Sequence, residues 1–201
     1  MIKYLSFDLQ GTLSASEFSD NFWRELLPEA YASRYDIDIT EAKAQLGAEF
    51  KKIGTYDIRY YDDAYWAEEL GFTTVDLIED ALPQPILDID LMRFLKSLDI
   101  PKIIISTTTN AFIDYELGQN KTVFTRTFSC VDDFETGGKT REIFQKIAHE
   151  LGVEPREILH IGDNDEMDIE NARLAGVKAL KYTGDTVACI ADITKELRSA
   201  H

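Results

Sequence analysis

Apolar residues recur in two rhythms along this chain. At the start, Ile2–Lys3–Tyr4–Leu5–Ser6–Phe7 is a short apolar run that predicts a buried strand over residues 2–8, with a turn at Gly11–Thr12. From residue 16 to 82 the spacing becomes helical. Phe18, Phe22, Leu26 and Leu27 share one helical face, with Ser19 or Asp20 as the expected N-cap. A second helix opens at Ile39–Thr40–Glu41, with Thr40 as cap, and runs to Ile53 before Gly54. A third begins at Asp62–Asp63, passes Trp66 and Leu70, and stops at Gly71. Thr73 or Thr74 starts a fourth through Leu77 and Ala81, ended by Pro83 and Pro85.

Beyond residue 85 the two rhythms alternate. Leu91–Leu98 reads as an amphipathic helix, and Lys102–Ile103–Ile104–Ile105 as a strand buried on both faces. Residues 110–118 read as a short helix, Val123–Cys130 as one or two short strands, and Thr140–Gly152 as a helix. Ile158–Leu159–His160–Ile161 is a further buried strand, and a helix follows over about 168–175. Val177–Leu180 is the last strand and residues 186–198 the last helix. This alternation predicts an α/β fold with a doubly wound, Rossmann-like parallel-sheet core. The helical block interrupts that core after its first strand. The expected division is residues 1–13 and 85–201 as the core and 14–84 as an inserted all-helical cap.

Composition fits a packed protein: 44% of the 201 residues are apolar and 29% charged. The formal net charge of −16 argues against a nucleic-acid groove or an anionic membrane as partner. No stretch has the ~18 consecutive apolar residues of a membrane span. With the first strand predicted from residue 2, no signal peptide is expected, and Cys130 and Cys189 form no CxxC pattern. The expected location is therefore cytoplasmic, with both thiols reduced and idle.

Candidate chemistry lies at the C-terminal ends of predicted strands, where open α/β sheets place their ligands. Asp8 follows the first strand. Ser106 and Thr107 follow the strand at 102–105, Lys139 follows Gly137–Gly138 at a helix start, and Asp163 and Asp168 follow the strand at 158–161. Each alone has a plain explanation: a turn aspartate, a cap serine, a solvated lysine, acids favouring a helix N-terminus. Their joint occurrence in this order points to a site.

These segments resemble the haloacid dehalogenase superfamily of hydrolases, most of which are magnesium-dependent phosphatases. Four motifs carry the resemblance: Asp8–Leu9–Gln10–Gly11–Thr12–Leu13, Ser106, Lys139, and Gly162–Asp163–Asn164–Asp165–Glu166–Met167–Asp168 with the run Ile169–Val177 after it. The resemblance implies that Asp8 is a nucleophile that forms an aspartyl-phosphate. It implies that Asp8, the backbone carbonyl of Gln10, Asp163 and Asp168 hold Mg²⁺, and that Ser106, Thr107 and Lys139 bind the phosphoryl group of a small phosphorylated metabolite. The family's usual second aspartate, a general acid and base, is Gln10 here. A glutamine amide can do neither task, so slow turnover is expected; Asp20, Asp62 or Asp63 are candidate replacements. A 2-haloacid dehalogenase, or a catalytically weak binding protein, are the other readings.

The insertion falls where the family carries a small helical cap. Its segment Tyr56–Trp66 is rich in aromatic residues, which read either as the core of a small cap or as a platform for a ring-bearing leaving group with Arg59 on an anion. His149 and His160 have no partner at metal-ligand spacing and are expected to be structural.

Overall fold

The computed structural model describes residues 1–71 and 84–198. Five parallel strands form one sheet: β1 (Tyr4–Phe7), β2 (Lys102–Ser106), β3 (Arg126–Ser129), β4 (Ile158–Gly162) and β5 (Lys178–Lys181), in the order β3-β2-β1-β4-β5. β2 and β4 are buried along their whole length, as expected of strands covered on both faces. Register places the site. Phe7 in the central strand pairs with Ile104 on one side and Ile161 on the other. The chain therefore leaves β1, β2 and β4 along one edge, which carries Asp8, Ser106 and Asp163.

The alternation of strand side chains splits the core into two layers. Leu5, Phe7, Ile104, Leu159 and Ile161 pack against residues of three helices: α5 (Ile89–Lys96), α6 (Asn110–Leu117) and α10 (Thr186–Arg198). On the other face Ile103, Ile105, Phe128 and Ile158 meet α8 (Arg141–Glu150) and α9 (Asn171–Leu174). Each fully buried Leu, Ile or Phe contributes about 1.5–3 kcal/mol. The sheet is thus covered on both sides, as its apolar runs predict.

Between β1 and β2 the described residues form helices and turns. α1 (Glu17–Asn21) runs through a π turn (Phe22–Leu26) into α2 (Leu27–Tyr35). α3 (Ile39–Ile53), a 3₁₀ turn (Ile58–Tyr60) and α4 (Asp63–Leu70) follow. Leu27, Leu46, Trp66 and Leu70 make a small core of their own. Phe18 and Phe22 pack instead on Phe112 of α6, which ties the insertion to the sheet domain. The chain enters and leaves the insertion side by side. Asp88 N–H donates to the Leu13 carbonyl (2.8 Å), and Ala15 N–H donates to that of Ile86 (2.9 Å).

Several predicted ends move. α1 begins at Glu17, so Ser19 and Asp20 lie inside it; the Ser19 hydroxyl bonds back to the Ser16 carbonyl at 3.0 Å. The cap of α3 is Asp38, whose carboxylate accepts from the N–H of Thr40 at 2.7 Å. A carboxylate two residues ahead of Thr40 reaches the exposed amides first. Only Arg126–Ser129 of the run 123–130 is strand. Gly118–Val123 is a 3₁₀ turn, and Cys130 opens the short helix α7 (Cys130–Phe134) because Ser129 accepts from Asp132 N–H. The helix expected at 73–81 lies outside the described residues. Among the described residues no helix is long and apolar enough to cross a membrane.

Candidate active site

Asp8 sits one residue past β1 and is buried; its N–H donates to Ile161 O (2.8 Å), which continues the sheet ladder. Lys139 reaches it from the loop between α7 and α8. This lysine is 2% exposed, and its ammonium donates to both Asp8 Oδ1 and Asp168 Oδ1. The plain alternative of a solvated lysine does not hold here, for Lys139 is a buried cation between two carboxylates. Gly137 and Gly138 let it in: a Cβ on Gly137 would lie 2.3 Å from the Asp57 carbonyl oxygen, and one on Gly138 2.5 Å from the Tyr56 ring. The turn can therefore slide under the 56–57 segment of the insertion.

Asp168 lies in a π turn (Asp165–Glu170) after β4 and is fully buried. Its Oδ2 accepts from Asn164 N–H (2.9 Å) and its Oδ1 is 3.1 Å from His160 Nε2. His160 Nδ1 in turn meets the Ser6 hydroxyl at 2.9 Å. Gly162 is required here, since a Cβ would sit 2.3 Å from the Asp168 carboxyl carbon. Asn171 holds the lysine loop from below, its amide donating to Lys139 O at 3.0 Å.

Burial opposes charge on all of these groups, and the pairing decides which keep it. Lys139 is desolvated, yet Asp168 and Asp8 hold its pKa above the usual lysine value. Asp168 is also desolvated, but Lys139 and His160 keep it well below the usual carboxylate range. Asp8 goes the other way. Burial, aided by Asp168, pushes its carboxyl up to about 8 against the pull of Lys139. Desolvation lowers the pKa of His160, which favours the neutral ring. One lysine cannot balance three acids. Carboxylate oxygens of Asp8, Asp163 and Asp168 all lie within 4.8 Å of one another, and burial and Asp168 raise the Asp163 pKa as well. An all-oxygen, acid-rich donor set with an excess of negative charge suits a hard divalent cation such as Mg²⁺.

Ser106 ends β2, is buried, and accepts a long bond from Thr108 N–H (3.4 Å); Thr107 beside it is half-buried. The hydroxyls of Thr12 and Thr108, on the loops that follow Asp8 and Ser106, are buried with no hydrogen-bond partner among the described residues. Gln10 points elsewhere. Its amide donates to Glu116 Oε1 at 2.5 Å, and burial pushes the Glu116 carboxyl up to about 7 against the bonds from Gln10 and Ser14.

Of the acids named as replacements, Asp62 caps α4 through Tyr65 N–H, and Asp63 is buried and accepts from the Thr109 hydroxyl. Arg59 closes on Asp57 at the surface, with Nε at 2.9 Å, and is not aimed at the site. Both cysteines are buried, with thiols pushed by desolvation to about 12, so neither supplies a thiolate. Sequence reasoning missed Glu116, which looks like a surface residue of α6, and the link from His160 to Asp168. The second had a signal: a polar ring on a fully buried strand needs a partner.

The chain matches the family model for haloacid dehalogenase-like hydrolases over residues 2–176. It is 26% identical over 91 residues to GMP/IMP nucleotidases of Escherichia coli (strain K12) and Shigella flexneri, a match spanning 45% of this chain and 40% of theirs. Among solved structures, a HAD phosphatase from Thermococcus onnurineus superposes with a TM-score of 0.72 at 20% identity, covering 92% of this chain and 88% of its own. A 2-haloacid dehalogenase from Pseudomonas syringae pv. Tomato DC3000 gives 0.60 at 18% identity, covering 90% and 86%. At such identity these two speak for the fold alone. The family match over most of the chain decides the rest: this protein belongs to the haloacid dehalogenase-like hydrolases.

Proposed function

We propose that this hydrolase cleaves small phosphomonoesters with Mg²⁺, through an aspartyl-phosphate on Asp8. The observation that carries this reading is the buried Lys139 ammonium bonded to Asp8 and Asp168, beside a third carboxylate within 4.8 Å. An Asp8 oxygen attacks phosphorus, the bond to the leaving oxygen breaks, and water then releases phosphate from Asp8. Bound Mg²⁺, held by Asp8, Asp163, Asp168 and the Gln10 carbonyl, would supply the charge that lets a carboxylate approach a phosphate. Lys139 neutralises charge on Asp8 and on the transferring group. Ser106 and Thr107 donate to phosphoryl oxygens, and the hydroxyls of Thr12 and Thr108, without a partner among the described residues, are two further donors on the loops after Asp8 and Ser106. Residues 14–84 act as a cap over the core formed by 1–13 and 85–201. Two unbridged thiols support a reducing, cytoplasmic setting. The partly matching nucleotidases make nucleoside monophosphates sensible first substrates.

Gln10 leaves the leaving group without a proton donor at the usual place, and this favours a slow enzyme or, as second reading, dehalogenation, which needs no acid. The acid-rich cluster weighs against the latter, since displacement of halide by aspartate needs no metal. The test is hydrolysis of a generic phosphomonoester with and without Mg²⁺, with haloacids as control. Wild type is expected to turn over only with Mg²⁺, and Asp8→Asn not at all. Gln10→Asp combined with Glu116→Gln, which keeps a donor facing the new carboxylate, should gain up to about 10²-fold. Equal rates for wild type and Asp8→Asn would overturn the reading.

A further inference from the structure

Asp20, Trp23, Arg24, Phe50, Tyr60 and Tyr61 line a cavity of about 260 Å³ in the helical insertion. That is slightly below the ~300–1,000 Å³ of pockets for drug-sized ligands, so it suits one ring system. The rings around it are only half-buried, unlike Phe18 and Phe22, which pack on Phe112, and Trp66, which belongs to the small core of the insertion. They form an ordered array: Phe50 stands edge-on to Trp23 at 6.0 Å between centroids and to Tyr60 at 5.2 Å, and Tyr60 meets Tyr61 at 4.8 Å. The rim is polar. Asp20 offers acceptor oxygens and Arg24 offers donors, the two paired at 3.1 Å. Tyr61 joins this cavity to the site, since it stands two residues before Asp63, which accepts from the Thr109 hydroxyl on the loop that follows Ser106.

We propose that this cavity receives a flat heteroaromatic ring carried by the leaving group, so that the preferred substrates are nucleoside monophosphates rather than ring-free sugar phosphates. The proposal rests on the phosphomonoesterase reading above. Aromatic walls stack on a base of any kind, and a rim with both donors and acceptors matches the edge of a nucleobase better than a hydrocarbon. Arg59 plays no part, as it is held by Asp57.

The test compares kcat/KM of the full chain, with Mg²⁺, for GMP, AMP and ribose 5-phosphate. Nucleotides should be preferred about tenfold or more. Trp23→Ala and Tyr60→Ala should bring the ratio of nucleotide to sugar phosphate toward one, mainly through KM, while Trp23→Phe, which keeps a ring, should retain most of it. A ratio near one in wild type, or a preference that survives both alanine variants, overturns the proposal and leaves the phosphatase reading standing. If nothing is hydrolysed, calorimetric titration of Asp8→Asn with GMP and with ribose 5-phosphate decides the matter separately. Tighter binding of GMP that is lost in the added Tyr60→Ala variant supports the cavity, and equal or absent binding overturns it.

Discussion

Lys139 shows how one residue sets the state of its neighbours. It is buried, and its two bonds are to Asp8 and Asp168. Removing one member of a buried ionic group leaves the others uncompensated, at a cost of about 3–5 kcal/mol. Lys139→Met should therefore lower the urea-unfolding stability by that order near neutral pH. The loss should shrink on acidification. Without the lysine, the Asp8 carboxyl, already raised by burial, rises further and the Asp168 carboxyl loses the charge that holds it down, so the folded variant binds more protons than the folded wild type does and regains stability relative to it as pH falls. A variant equally destabilised at all pH values would show that the charge is not what matters. Asp8 and Asp163 could be read from the chain because each closes a recognisable apolar run, and Lys139 and Asp168 because one follows Gly137–Gly138 at a helix start and the other stands five residues past Asp163. The burial of Lys139 could not, because it depends on how closely Gly137 and Gly138 approach Tyr56 and Asp57. Nor could the bond from Gln10 to Glu116, which joins residues on two separate elements.

Elements were easier to read than their ends. Runs such as Ile103–Ile105 and Ile158–Ile161 can only be buried strands in an alternating chain, and both are. Caps depend on which side chain reaches the free amides first, as with Asp38 and not Thr40 on α3. Asp88 illustrates what a good cap contributes. It accepts from the N–H groups of Asp90 (3.0 Å) and Leu91 (2.9 Å) at the start of α5, and from the hydroxyls of Tyr182 and Thr186. Burial pushes its pKa up, but these bonds outweigh it and leave the carboxyl below its ordinary value of 3.8. A depressed carboxyl contributes stability that is present above the unfolded pKa and lost as pH falls through the folded one. Asp88→Ala should thus cost about 1 kcal/mol at neutral pH, and the gap to wild type should narrow in acid. Urea midpoints across pH would check this; a gap that stays constant below 3.8 would rule it out.

At the scale of the molecule, 37 acidic residues face 21 basic ones, for a net charge of −16. The phosphomonoester proposed above would approach against that field, and the local positive charge of Lys139 is buried beneath it. Mobile ions screen the long-range part with a Debye length of about 8 Å at physiological salt. With Mg²⁺ saturating, KM for a phosphomonoester should fall as ionic strength rises from very low values to about 0.15 M, while kcat changes little. A rise in KM over the same range would mean that a local basic funnel governs entry.

The paired entry and exit of the insertion has a consequence for how such a chain can vary. Leu13 and Ala15 are bonded to Asp88 and Ile86, so the two junctions meet the sheet domain as neighbouring threads. Whatever is strung between them closes a loop whose ends are already held together. Loop closure costs only about 0.6 kcal/mol for each doubling of length. The helical segment can thus lengthen, shorten or be exchanged for another with little strain on β1 or β2. In this arrangement the part that would meet the leaving group is a replaceable cassette, and the carboxylates and the lysine stay where the sheet holds them.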